Sequence, residues 1–123
     1  MQPILEALHE YYKAFSSLEL NAIVSHFCEP CMSIGPQGVF SARDGPELAR
    51  TFAPLVEGLR EKGYGRSEFA QPQVTMLSDT AALVRGVAVR YLAEGREMER
   101  VRISYLMYLK DTEWKIAVMV LPI

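Results

Sequence analysis

The chain has 123 residues, half of them hydrophobic, with a formal net charge of −2. Such a length makes one domain, read here as 1–123, and can bury a core without disulfides or a metal. The charge leaves no footprint for nucleic acid or an anionic membrane, and no apolar run is long enough to span a bilayer.

Pro3 suits the first turn of a helix, where its missing N–H costs nothing. Ile4, Leu5, Leu8, Tyr11, Tyr12 and Phe15 follow at helical spacing. Ser16 and Glu19 have the spacing of a capping box, and Leu20, Ile23, Val24 and Phe27 give a second, shorter helix that Pro30 should stop. A small hairpin is expected from 31–34 and 39–41, around the turn cluster Gly35-Pro36-Gln37-Gly38. Asp44, with Glu47 three residues on, caps a third helix whose buried face is Leu48, Phe52, Leu55, Val56 and Leu59. Pro54 should kink or divide that helix, because it cannot donate to the Arg50 carbonyl. Gly63 ends it, and 64–73 reads as an extended lead-in with Pro72 at an edge or bulge.

The C-terminal half reads as strands over 74–77, 81–93, 98–110 and 114–121. Turn-forming residues separate them: Ser78-Asp79-Thr80, Glu94-Gly95-Arg96-Glu97 and Asp111-Thr112-Glu113. Their Val, Ile, Tyr and Leu content fits a pleated, half-buried surface. Helices gathered on one face of an antiparallel meander make an α+β domain.

Three stretches carry a resemblance: His26-Phe27-Cys28-Glu29-Pro30 leading into Cys31-Met32-Ser33-Ile34-Gly35-Pro36, the capped third helix, and Glu113-Trp114-Lys115-Ile116-Ala117-Val118. In this succession the chain resembles the nuclear-transport-factor-2-like superfamily, which includes ketosteroid isomerases and SnoaL-like polyketide cyclases. The resemblance implies a cystatin-like or NTF2-like cone. Three helices would pack on the concave face of a curved, mainly antiparallel sheet, and the open end would form a pocket. The isomerases carry a carboxylate base just before a proline on the first strand, where this chain has Gly35 before Pro36. A second acid on a late strand is also missing, since 81–91 and 101–109 contain no Asp or Glu.

Strand alternation sorts the later side chains into two sets. The set expected to face the helices is Leu83, Arg85, Val87, Val89 and Tyr91, then Val101, Ile103, Tyr105, Met107 and Leu109, then Trp114, Ile116, Val118 and Val120. A bulge would reverse part of that assignment. Arg85 is the only charge in the set. It reads as a bidentate anchor for a carboxylate, as half of an internal ion pair with Glu57 or Glu61, or as a side chain snorkelling to the rim. Tyr12, Phe52, Tyr91, Tyr105 and Trp114 are expected around the same cavity, or else as plain core aromatics. His26, at the end of the second helix, is expected near the pocket mouth, where an imidazole could move a proton, or as a simple helix-end histidine.

Cys28 and Cys31 form a C-x-x-C two residues after His26. A structural zinc site needs four ligands, and His9 is the only other histidine. A redox cysteine belongs at a helix N-terminus rather than after a C-terminus. The expectation is therefore no metal, no cofactor and no catalytic residue. Two cysteines and no basic-then-apolar leader point to a reducing cytoplasm. The leading functional expectation is a pocket protein for a small, largely apolar ligand, with a carboxylate as the group Arg85 would meet. The alternatives are a SnoaL-like isomerase, dehydratase or cyclase without the Asp base, and a scaffold domain with a filled cone. Apolar residues in the outward set, Val84, Ala88, Leu92, Leu106, Tyr108, Ala117, Met119 and Leu121, give the further expectation of a homodimer through the convex face.

Overall fold

The computed structural model describes residues 2–122. Its elements are α1 (Gln2–Ser17), α2 (Leu20–Val24), β1 (Phe27–Gly35), β2 (Gly38–Ala42), α3 (Gly45–Glu61), β3 (Tyr64–Met76), β4 (Ala81–Leu92), β5 (Glu97–Lys110) and β6 (Glu113–Val120). The six strands form one curved sheet in the order β2-β1-β6-β5-β4-β3, and only β1 with β6 is parallel. The three helices cover one face of it, and the core lies between them and that covered face.

The first helix buries the expected stripe, with Ile4, Leu8, Tyr11, Tyr12 and Phe15 inside. The capping box at its end does not form: α2 begins after Glu19 with no side-chain cap. Ser16 is used otherwise. Its hydroxyl donates to the Tyr12 carbonyl at 2.8 Å and accepts the Ser67 N–H at 2.9 Å, tying α1 to β3. The second helix is a single turn. Phe27 opens β1 opposite Ile116 instead of extending the helix. Pro30 lies within β1, after a cis peptide bond.

The third helix is capped as expected. The Glu47 N–H donates to Asp44 Oδ1 at 3.0 Å, and Glu47 Oε1 accepts the Arg43 N–H at 3.1 Å. Pro54 does not divide it. Leu48, Phe52, Val56 and Leu59 are buried, whereas Leu55, expected in the same stripe, is exposed like Pro54. Four buried side chains at about 1.5–3 kcal/mol each outweigh a proline cost of about 3 kcal/mol. The stretch 64–73 is the first part of a long edge strand, β3. Its register shifts between Ala70 and Gln73, where Gln71 has φ 55 and Pro72 follows.

Two bulges decide which residues face the helices. In β4–β5, Tyr91 pairs with Glu97 but Arg90 pairs with Glu99, so Met98 is an extra residue on β5. The shift sets Ala82, Val84, Gly86 and Ala88 opposite Met107, Tyr105, Ile103 and Val101. Ile103, Tyr105 and Met107 are buried under the helices as expected, and Ala82 and Val84, both 0 % exposed, are buried with them. The expected inward set of β4 is therefore reversed. Leu83, Arg85, Val87, Val89 and Tyr91 lie on the face away from the helices, where Arg85 is exposed but Val89 is buried. A second extra residue, Ala117, separates the pairs Met107–Ile116 and Leu106–Val118. Trp114 and Ile116 keep their expected side, with Trp114 half-buried against the core. Beyond the bulge Met119 and Leu121 turn inward, and Val118 and Val120 turn out.

The open face then reads in rows across the strands. Leu83, Leu106 and Val118 form an apolar row; Gln73, Arg85, Ser104 and Val120 form the next; Val87 and Arg102 follow. At the far end Arg66 pairs with Glu68 and Arg100 with Glu97, each at 3.0 Å. Tyr91 belongs to this end. Its hydroxyl donates to Glu68 at 2.9 Å, and the Arg66 guanidinium lies 4.1 Å from its ring centroid.

Candidate ligand pocket

Two adjoining lobes open between α3 and the covered face. The outer lobe, about 150 Å³, is lined by β1, β2 and α3, including Phe27, Cys31, Met32, Phe40, Ala42 and Leu48. Met32 and Phe40 of this lining are exposed. The inner lobe, about 90 Å³, is lined by Tyr11, Tyr12, Phe15, Ser67, Ala88, Arg90, Ile103, Tyr105 and Leu121. Phe52, Leu55 and Met119 line both. An apolar cavity of about 150 Å³ is large enough to take a benzene ring.

The polar part of this cavity is a phenol pair. The Tyr12 and Tyr105 hydroxyls are 2.7 Å apart, and both residues are buried. The periodicity of α1 aims Tyr12 inward, and the Met98 bulge leaves Tyr105 opposite Val84. Phe69 supports both rings, with centroids 5.3 Å from Tyr12 and 5.5 Å from Tyr105. Gly86 makes room for it, since a Cβ there would stand 2.5 Å from the Phe69 ring. Burial raises the pKa values of Tyr11, Tyr12 and Tyr105 far above the usual phenol value, so all three are neutral at physiological pH. In the pair one hydroxyl donates to the other, which leaves the second proton for an acceptor.

The charge at the cavity is Arg90, not Arg85. Its side chain is 25 % exposed and forms an ion pair with Glu99 on the neighbouring strand. Its guanidinium carbon is 5.5 Å from the Phe15 ring centroid. Arg90 faces the covered side because the extra residue Met98 reverses the parity of β4 against β5.

Tyr12, Phe52 and Tyr105 of the expected pocket residues thus come together. Arg85 and Tyr91 are on the other face of the sheet. Trp114 packs beside the core but does not line either lobe. His26 follows α2 in the turn, its ring 6.0 Å from Tyr11, and does not line the cavity either. Burial lowers its pKa below the ordinary imidazole value. Cys28 and Cys31 are free thiols on β1, both pushed up by burial and so held from the thiolate that metal or redox chemistry uses. Among the described residues no three of His, Cys, Asp and Glu gather closely enough to hold a metal ion. No described helix is long and apolar enough to cross a membrane.

The helix-filled curved sheet with a small internal cavity defines a cystatin-like α+β cone. The family described as NTF2-like protein (DUF6841) matches residues 2–122, and the chain belongs to it. No curated protein matches it. Among solved structures it is similar to an NTF-2-like protein of unknown function from Shewanella oneidensis, at 20% identity and TM-score 0.76, covering 99% of this chain and 98% of that one. An NTF2-like protein with a cystatin-like fold from Novosphingobium aromaticivorans gives TM-score 0.80 at 13% identity, covering 99% and 80%. A ketosteroid isomerase-like protein from Erwinia carotovora gives TM-score 0.71 at 20% identity, covering 98% and 93%. At these identities the likeness is one of fold.

Proposed function

We propose that this NTF2-like protein binds a small, largely apolar molecule of about one ring that carries a hydrogen-bond-accepting oxygen. The observation behind this is the Tyr12–Tyr105 phenol pair, set in a largely apolar cavity whose other polar lining is Ser67 and the Glu99-paired Arg90. Neutral phenols with one proton to spare suit a carbonyl or hydroxyl oxygen. Arg90 is engaged by Glu99, so a carboxylate has a weaker claim than it had from the sequence. An isomerase, dehydratase or cyclase needs a base within reach of the substrate. The described lining of both lobes contains no Asp, Glu or His, and phenols with raised pKa are poor bases at neutral pH. These facts favour binding over turnover.

The test is a titration with acetophenone and, as a shape control, ethylbenzene, followed by amide and aromatic NMR shifts. Acetophenone should bind more tightly, with shifts centred on Tyr12, Phe52 and Tyr105. A Tyr12→Phe, Tyr105→Phe double variant should bind both alike. Absence of saturable shifts with either compound would leave the cone as a filled scaffold and overturn the reading.

A further inference from the structure

The two lobes of the cavity are unlike in size and in chemistry. The outer one, about 150 Å³, has the capacity for an aromatic ring, and the inner one, about 90 Å³, falls short of it. The buried walls of the outer lobe are apolar: Phe27, Cys31, Ala42, Leu48 and Phe52. Its hydroxyls, on Ser33, Ser41 and Thr51, belong to half-buried or exposed residues. The phenol pair lines the inner lobe alone.

Phe52, Leu55 and Met119 line both lobes and so mark the neck between them. One side of this neck is fixed. The Phe52 ring packs on Phe27 and Phe15, with centroids 5.6 Å and 6.4 Å away. The other two side chains can yield: Met119 is unbranched and adaptable, and Leu55 is 37 % exposed. A saturated chain passes such a neck more easily than a ring does. Phe40 points the same way. It pairs with Ser33 and lines the outer lobe, yet it is 52 % exposed. A ring laid against it would take that apolar surface out of water.

We infer that the cavity takes an arylalkyl ketone, with its ring in the outer lobe against Phe40 and Leu48, a short saturated linker in the neck, and its carbonyl oxygen in the inner lobe at the Tyr12–Tyr105 pair. This rests on the binding function proposed above and deepens it: the separation between ring and oxygen becomes the property that the protein selects. A ketone bonded directly to its ring can fill the outer lobe or reach the phenols, but not both at once.

The experiment compares two isomers, benzylacetone and butyrophenone, by NMR titration of the full chain, with acetophenone alongside. Benzylacetone separates ring from carbonyl by an ethylene linker, whereas butyrophenone joins them directly, so the pair is matched in atoms and differs in spacing. Benzylacetone should bind about three- to ten-fold more tightly, the worth of one hydrogen bond kept rather than lost. The Tyr12→Phe, Tyr105→Phe double variant should bind the isomers alike. Nuclear Overhauser contacts in the wild type need no variant to fold. They should join the ring protons to the Leu48 and Ala42 methyls, and the ketone methyl to the Ile103 and Ala88 methyls. Isomers that bind equally, a preference for butyrophenone, or ring contacts at Ile103 and Ala88 would overturn this inference alone, provided acetophenone still gives saturable shifts. No saturable shift with any of the three ketones would overturn the binding function and this inference together.

Discussion

The two faces of β4 and β5 differ by one residue of register, and little else separates core from surface there. On the covered face Val84 stands opposite Tyr105 at 0 % and 1 % exposure. On the open face the next pair along is Arg85 and Ser104. The covered side is apolar except for the phenols and Arg90, whose charge is met by Glu99. The open side passes from an apolar row, through unpaired arginines, to a ladder of ion pairs. A buried charge must be paired, whereas an exposed one need not be. The same residue type thus demands a local partner inside and none on the surface.

The largest effect should come from exchanging the residue types across this divide. Val84→Arg buries an unpaired charge, at a cost of about 3–5 kcal/mol or more, a large share of a domain's stability. Arg85→Val should stay within about 0.5 kcal/mol of wild type. Urea unfolding of both decides it, and equal losses would mean that the faces are misassigned.

Next in size is Gly86→Ala. The added methyl meets the Phe69 ring and, at 2.9 Å, the Ala70 carbonyl oxygen. Overpacking of this kind costs about 1–3 kcal/mol. Because Phe69 supports the phenol pair, the ring NMR signals of Tyr12 and Tyr105 should move as well. A mutant with unchanged melting and unchanged tyrosine signals would show that the ring has room to yield.

A smaller effect on folding is expected from Leu106→Arg, but a visible one on assembly. The observed register takes Val84, Ala88, Met119 and Leu121 out of the outward apolar set and brings Leu83 and Val118 into it beside Leu106, the row on which we propose a homodimer forms. Light scattering should show a dimer for the wild type and a folded monomer for the variant. A wild-type mass near 13.9 kDa that persists as concentration rises would remove the proposal.

The smallest effect is pH-linked. His26 has a folded pKa below its unfolded value, because burial disfavours the imidazolium. Below about pH 6.5 the unfolded chain then binds more protons than the folded one, so stability declines as pH falls from there until the folded group also protonates. His26→Gln should flatten that part of the melting-temperature profile; an identical slope would assign it to other groups.

Much of this fold was legible. The stripes of α1 and α3, the Asp44–Glu47 cap, the Pro72 bulge and the turn clusters each rest on short-range rules, and each is present. The short second helix was overread because Phe27 keeps helical spacing while belonging to a strand. Of the cavity, Tyr12, Phe52 and Tyr105 were legible because their neighbours fix their side. Arg85 was expected to face the helices and lies outward for a specific reason. Leu83, Val84, Val87, Ala88 and Val89 make both faces of β4 apolar, so alternation alone cannot orient it. Its side is set by pairing with β5, and there one extra residue, Met98, reverses the parity.

The bond between Ser16 and Ser67 has a consequence for kinetics. Tyr12 and Ser67 bound the inner lobe and also the outer groove between α1 and β3. They are a partition wall, and the serine contact is its latch. Were α1 to lift far enough to release the latch, the blind cavity would become a passage with two doors. The residence time of a bound molecule would then depend on how often that latch opens, so a Ser16→Ala chain would exchange its guest faster while holding it with nearly the same affinity.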